Sequence, residues 1–209
     1  MRRVSVDPVA PQRDAIEEAA KWIMGGDVVA IPTDTLYGLA VDPFQTAAVE
    51  RLFAVKGRAL DQAIPLIAAD EAQVAASLAP LTGLAARLAE KYWPGPLTLI
   101  VAAPRAVSSR ITAGTGTVGV RVPQHDVARA IARMCGRPIT ATSANISGQP
   151  ATADPDVVEE TLGDRVEMLI DTGRTVGGAP STIVDVTTAA PRLVRAGAIA
   201  WEEIQQWLR

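Results

Sequence analysis

Val28-Val-Ala-Ile-Pro-Thr-Asp-Thr-Leu-Tyr-Gly38 runs from a buried strand straight into a polar loop. Val28 to Ile31 is short, apolar and rich in β-branched side chains, and Pro32, with no N–H to give a sheet, closes it. Just upstream, Gln12 to Met24 carries Ile16, Ala19, Ala20 and Ile23 on one helical face, and Gly25-Gly26 supplies the stop. A helix feeding a buried strand, with two threonines and an aspartate at the strand's end, is the repeating unit of an α/β domain. Polar groups at strand ends are where such domains build sites.

The same alternation continues outward. Thr46 or a neighbour opens a helix with Val49, Leu52 and Phe53 inward. Ile64 to Ala68 predicts a strand. Asp70 caps a short helix to about Leu78. A helix from about Thr82 to Tyr92 is stopped by Pro94-Gly95-Pro96. Leu97 to Ala102 and Val118 to Val122 predict strands, the second alternating cleanly. Asp126 to Met134 predicts a helix with Val127, Ile131 and Met134 inward. Pro138 to Thr142 predicts one short strand running into the polar loop Ser143 to Gly148. Asp154-Pro155 starts another helix by the cap-then-proline rule. Met168 to Ile170, Ser181 to Val186 and Arg192 to Arg195 complete the sheet, and a last helix turns Trp201, Ile204 and Trp207 or Leu208 inward. Short strands with non-helical connections predict one open, twisted, mixed sheet flanked by helices. Residues 1–209 are expected to form a single domain with its core over about 12–200.

Composition excludes several classes. Twenty basic against 23 acidic residues give a net charge of −3, which argues against a general basic coat for nucleic acid and leaves room for a local basic cavity. The single cysteine, Cys135, allows no intramolecular disulfide and no cysteine metal cluster, and the cytoplasm is the expected compartment. The N-terminus has two arginines with no apolar run behind them, unlike a signal peptide. No apolar stretch is long enough to span a bilayer. No strand–Gly-rich-loop–helix phosphate motif is present: Val28 to Leu39 carries no GxGxxG and GxxxxGK[ST] occurs nowhere, so any nucleotide is held in another way.

The polar clusters have two readings each. Thr33, Asp34 and Thr35 form a turn capped by Asp34 or offer hydroxyls to a polar substrate. Lys56-Gly-Arg58 complements a helix C-terminus or faces a polyanion. Tyr92-Trp-Pro-Gly-Pro-Leu-Thr98 reads as a helix stop feeding a strand. In Thr115 to Pro123, Thr117, Gly119 and Arg121 share one strand face. A charge there must be paired or line a cavity, and the small Gly119 favours the cavity. Ser143 and Asn145 are turn formers or ligand contacts. Gly177 to Thr182 enters a strand, and Arg195-Ala-Gly197 ends one. His125 reads as a helix start and Cys135 as a small buried apolar side chain.

In order and spacing, these segments resemble the YrdC family. The carrying motifs are Pro32-Thr-Asp-Thr-Leu-Tyr-Gly38, Lys56-Gly-Arg58, Trp93-Pro-Gly-Pro96, Val120-Arg-Val-Pro123, Ser143-Ala-Asn145 with Ser147-Gly148, Ser181-Thr182 and Arg195-Ala-Gly197. The resemblance implies an open α/β domain around a concave, positively charged cavity. It implies an L-threonylcarbamoyladenylate synthase, which makes threonylcarbamoyl-AMP and pyrophosphate from L-threonine, bicarbonate or CO2, and ATP with Mg2+. A separate transferase would then use that product to modify tRNA.

Carried over residue by residue, the family's Lys-x-Arg and Ser-x-Asn tetrad falls on Lys56, Arg58, Ser143 and Asn145. Threonine contacts fall on Thr35, Arg121, Ser181 and the backbone near Ala141. ATP contacts fall on Arg58, Thr117, Ser143 and Arg195. Where some members carry a histidine that helps hold threonine, this chain has Ile67. The usual Arg-Pro-Gly is Arg195-Ala-Gly197 here. Two rivals remain: a double-stranded RNA-binding module and a relative that makes carbamoyl-adenylate.

Overall fold

The computed structural model describes residues 1–57 and 63–208. Its elements are β1 (Arg2–Ser5), α1 (Arg13–Gly25), β2 (Val29–Ile31), β3 (Gly38–Ala40), α2 (Thr46–Lys56), β4 (Leu66–Ile67), α3 (Glu71–Ser77), α4 (Gly83–Tyr92), β5 (Leu97–Ala102), β6 (Thr117–Arg121), α5 (Asp126–Met134), β7 (Ile139–Thr140), β8 (Thr142–Ser143), α6 (Pro155–Leu162), β9 (Met168–Asp171), β10 (Thr182–Asp185), β11 (Arg192–Arg195) and α7 (Trp201–Leu208).

The strands form two mixed sheets rather than the one expected. The first has the order β1-β9-β2-β3-β8 and the second β11-β10-β5-β6-β4-β7. Parallel pairs (β1 with β9, β9 with β2, β10 with β5, β4 with β6) sit beside antiparallel ones in both. The division shows most clearly at 138–143, which the sequence presents as one strand. Ile139 and Thr140 pair with β4 in the second sheet, while Thr142 and Ser143 pair with β3 in the first. Ala141 is the step between them, and its N–H donates to Pro65 C=O at 3.0 Å. This crossing ties the two sheets together where the polar loops gather.

Strand alternation divides the core. Val29 and Ile31 face a cluster with Ile16 and Ile23 of α1 and Val127 and Ile131 of α5. Ala30, one residue out of phase, faces a larger cluster that includes Leu52, Leu99, Val120 and Leu169. The caps form as their residue types dictate. The Asp70 carboxylate accepts Gln73 N–H at 2.9 Å, and that of Asp154 accepts Asp156 N–H at 3.0 Å with Pro155 beginning α6. Gly26, at φ 93°, closes α1 in the left-handed conformation. Met134 departs from expectation: it is exposed. The buried stripe of α5 runs through Val127, Ala128, Ile131 and Ala132 to Cys135, and Met134 lies at its edge.

Candidate functional site

A cavity of about 650 Å³ opens between the two sheets. It is lined by Thr35, Lys56, Arg121, Ala141, Ser143, Asn145, Ser181 and Arg195, which the sequence spreads over 160 positions. Ile67, standing where some relatives of the chain would carry histidine, lines it too. No Asp or Glu is among the described lining residues. Arg58 lies outside the described residues. Thr117 does not line the cavity. It starts β6, four residues from Arg121 and about 13 Å along the strand, where its hydroxyl lies 2.9 Å from that of Thr115.

Lys56 is the last residue of α2, and Gly57 at φ 56° turns the chain away behind it. The side chain is 2% exposed. Its ammonium donates to Ser143 C=O at 2.6 Å, to Asn145 C=O at 3.0 Å and to Asn145 Oδ1 at 3.0 Å. Ser143 Oγ donates to the same Oδ1, and Asn145 Nδ2 donates to Gln149 C=O. The Lys56 carbonyl accepts Ser147 N–H at 2.8 Å. Lys56 thus organises the whole 143–149 loop, which is more than a cation lying along a helix end.

Arg121 ends β6 with its side chain 8% exposed, and the charge is paired. Its Nη1 donates to Asp34 Oδ1 at 2.7 Å, and Asp34 Oδ2 accepts Gln124 N–H at 3.1 Å. Asp34 is therefore more than a turn cap: it joins the loop after β2 to a strand of the other sheet. Burial lowers the Arg121 pKa and Asp34 opposes the shift. Asp34 lies behind the cavity wall, in a neighbouring hollow with His125 and Arg129, while Thr33 lines both spaces. His125 precedes α5, and its buried Nδ1 has no hydrogen-bond partner among the described residues.

Arg195 ends β11 at the exposed rim. Its Nη2 donates to Ser181 C=O at 2.8 Å and Ser181 Oγ at 3.1 Å, both uncharged. Partial desolvation, then repulsion from Arg121, lowers its pKa. Gly197 sets this corner. A Cβ there would lie 2.3 Å from Pro180 O and 2.5 Å from Ser181 C, so no larger residue fits without moving the Ser181 backbone.

Thr35 is held from outside: its carbonyl accepts Gly177 N–H at 2.8 Å and the Thr175 hydroxyl at 2.7 Å. Tyr37, fully buried, donates its hydroxyl to Gly173 C=O at 2.7 Å and anchors the same loop. Ala141 has spent its N–H on Pro65, so a backbone contact to a ligand falls to its carbonyl. Thr98, read in the sequence only as the end of a helix stop feeding a strand, also lines the cavity. A polar residue inside an apolar strand, the feature that singled out Arg121, marks it equally. Cys135 is buried, and burial pushes its thiol up to about 12, in keeping with an apolar packing role.

Comparison with known proteins places this arrangement among relatives. Residues 21–197 match the Sua5–YciO–YrdC family model, whose description is "Telomere recombination". A threonylcarbamoyl-AMP synthase of Pyrococcus abyssi is 39% identical over 93% of this chain and 58% of its own length. One of Bacillus subtilis is 37% identical over 95% of this chain, again 58% of its own. The chain therefore spans somewhat over half the length of these two relatives. The crystal structure of P. abyssi Sua5 complexed with L-threonine matches with a TM-score of 0.93 at 36% identity, covering 99% of this chain and 60% of that one.

Proposed function

The chain belongs to the Sua5–YciO–YrdC family, and from that premise we propose that it condenses L-threonine, bicarbonate or CO2, and ATP into threonylcarbamoyl-AMP and pyrophosphate. The observation that carries this reading is the set of cations on the cavity: Lys56, Arg121 and Arg195 line it, no carboxylate does among the described residues, and Asp34 offsets Arg121 alone, from behind the wall. ATP brings about four negative charges and threonine a carboxylate, so bringing them together requires such cations. The relatives' name, threonylcarbamoyl-AMP synthase, gives a product that fits the cavity, and L-threonine is bound in the P. abyssi Sua5 structure.

In the proposed course, the threonine amine adds to CO2 and loses a proton to give a carbamate. A carbamate oxygen then attacks the α-phosphorus of ATP in line, and pyrophosphate leaves. Arg121, with Thr35, Ser181 and the Ala141 carbonyl, holds threonine. Lys56, Ser143, Asn145 and Arg195 face the triphosphate; Arg58, the other ATP contact that the resemblance implies, lies outside the described residues. Thr117 would reach ATP only where the nucleotide extends past the cavity. Among the described residues no group of three His, Cys, Asp or Glu is placed to hold a metal. Mg2+ bound with ATP would supply charge neutralisation, alongside Lys56 and Arg195. RNA binding is not favoured: Tyr37, the one aromatic residue among the described cavity lining, is fully buried and offers no face to a base. The product would pass to a tRNA threonylcarbamoyl transferase. No helix of the described chain is long and apolar enough to cross a membrane.

The test is to incubate the purified chain with ATP, bicarbonate and each amino acid in turn. Pyrophosphate release that requires both threonine and bicarbonate is expected. Release without threonine, or none at all, overturns the reading.

A further inference from the structure

Thr98 is the second residue of β5 and is 2% exposed. Its Oγ1 lies 2.8 Å from Ser181 Oγ, at the foot of the parallel pair β5–β10. The rotamer is packed in place. Gly119, diagonal to it on β6, has no side chain, and a Cβ there would come within 3.1 Å of the Thr98 methyl. The methyl rests over Gly119 and the hydroxyl is turned to Ser181.

Counting protons gives this contact a direction. A guanidinium can only donate, so Ser181 Oγ accepts from Arg195. Thr98 has one hydroxyl proton, and among the described residues Ser181 Oγ is the acceptor recorded for it. A buried hydroxyl seldom leaves its donor unspent. Thr98 therefore donates to Ser181, and both acceptor positions of Ser181 Oγ are filled. The Ser181 proton is then left for whatever enters the cavity that Ser181 lines.

We propose that Thr98 is a positioning residue that fixes Ser181 as a hydrogen-bond donor toward an anionic oxygen of the bound substrate. Ser181 lies beside Arg195, and Arg195 is near enough to Arg121 to feel its charge. The acceptor is thus a carboxylate, carbamate or phosphate oxygen, and an amine is disfavoured there. Thr98 lines the cavity wall but is 2% exposed, with its hydroxyl 2.8 Å from that of Ser181, so it acts through Ser181. The assignment of the acceptor rests on the proposed synthase activity, whereas the direction of the Thr98 hydrogen bond does not.

The experiment is a double-mutant cycle on the whole chain with Thr98→Val and Ser181→Ala, and Thr98→Ser as the conservative control. Thr98→Val should raise KM for one anionic substrate by about fivefold, with a smaller change in kcat. A threonine effect marks the carboxylate or carbamate, an ATP effect a phosphate. Thr98→Ser should restore the wild-type value, and the Thr98→Val effect should vanish in the Ser181→Ala background. Thermal unfolding gives a readout that needs no turnover. Thr98→Val should lower Tm in the wild-type chain and raise it in the Ser181→Ala chain, where the threonine donor has lost its acceptor. An equal Tm change in both backgrounds, or unchanged KM values in an active Thr98→Val, overturns the proposal. If the variants show the Tm reversal but the wild-type chain releases no pyrophosphate, the synthase reading is overturned and the Thr98–Ser181 hydrogen bond stands.

Discussion

The two walls of the cavity hold their cations by different means. On the first-sheet side, the Lys56 ammonium is clamped by two main-chain carbonyls and one amide oxygen of the 143–145 loop. On the second-sheet side, Arg121 is held by the Asp34 carboxylate, and Arg195 by the Ser181 hydroxyl and carbonyl at the rim. A cation clamped by main chain is part of the loop's fold, so charge and loop geometry cannot be altered separately. A cation held mainly through a neighbouring side chain can be tuned by changing that neighbour. The first wall is built as a fixed floor, and the second is adjustable at Arg121, whereas Arg195 leans mainly on the Ser181 main-chain carbonyl.

Lys56→Met attacks the first wall and carries the largest expected effect. It keeps most of the unbranched side chain and removes the ammonium, leaving the Ser143 and Asn145 oxygens without that donor. Pyrophosphate release should fall by about a hundredfold or more, and stability should fall with it, by about 1–3 kcal/mol for each acceptor left unsatisfied. Both are read by turnover and thermal unfolding of the same sample. Loss of activity at an unchanged Tm would remove the distinction between the walls.

Asp34→Asn probes the second wall. The amide can still accept from Arg121, but the buried guanidinium loses its counter-charge. Stability should fall by about 2 kcal/mol. Threonine brings a carboxylate of its own, so it should raise the Tm of the variant more than that of the wild type. Equal shifts with saturating threonine would show that the substrate carboxylate does not meet Arg121.

Arg195→Lys is milder. The rim position is exposed, and a lysine keeps the charge but cannot donate to both Ser181 oxygens in a fixed fork. KM for ATP should rise by about three- to tenfold at nearly unchanged Tm. A KM change for threonine alone would move Arg195 from the nucleotide to the amino acid.

How much of this was legible follows from range. Asp70 and Asp154 could be read as caps because their partners lie two or three residues away. Leu97 to Ala102 could be read as a strand because six apolar or β-branched residues sit together. Arg121 stood out because one charge breaks an alternating strand. Asp34 could not be assigned to it, since that partner is 87 positions distant. The two-residue strands at 139–140 and 142–143 merge in sequence, because a switch between sheets leaves no trace in hydrophobic period when the step is a single small residue, Ala141. The strands Arg2–Ser5 and Gly38–Ala40 are too short, and the first too exposed, for a period to show. Lys56 was singled out by its Lys-x-Arg motif and lines the cavity, but its clamp depends on carbonyl groups, which every residue has.

The smallest effect concerns His125, which sits behind the second wall. Burial lowers its pKa below the ordinary 6.5. Asp34, from the loop after β2, and Asp126, on α5, oppose the shift, while Arg129, also on α5, adds to it. The unfolded chain therefore binds a proton more readily than the folded one. Stability associated with this group is complete above pH 6.5 and is lost as pH falls through the folded value. His125→Gln should flatten that part of the Tm profile below pH 6.5 and leave the neutral range unchanged. Asp34→Asn removes one of the two groups that favour the imidazolium, lowers the folded pKa further and should steepen the same limb. The two substitutions thus act in opposite directions on one curve, although both lie behind the same wall. If the limb is no steeper in Asp34→Asn than in the wild type, His125 is insulated from Asp34. The second wall would then be adjustable through Arg121 alone.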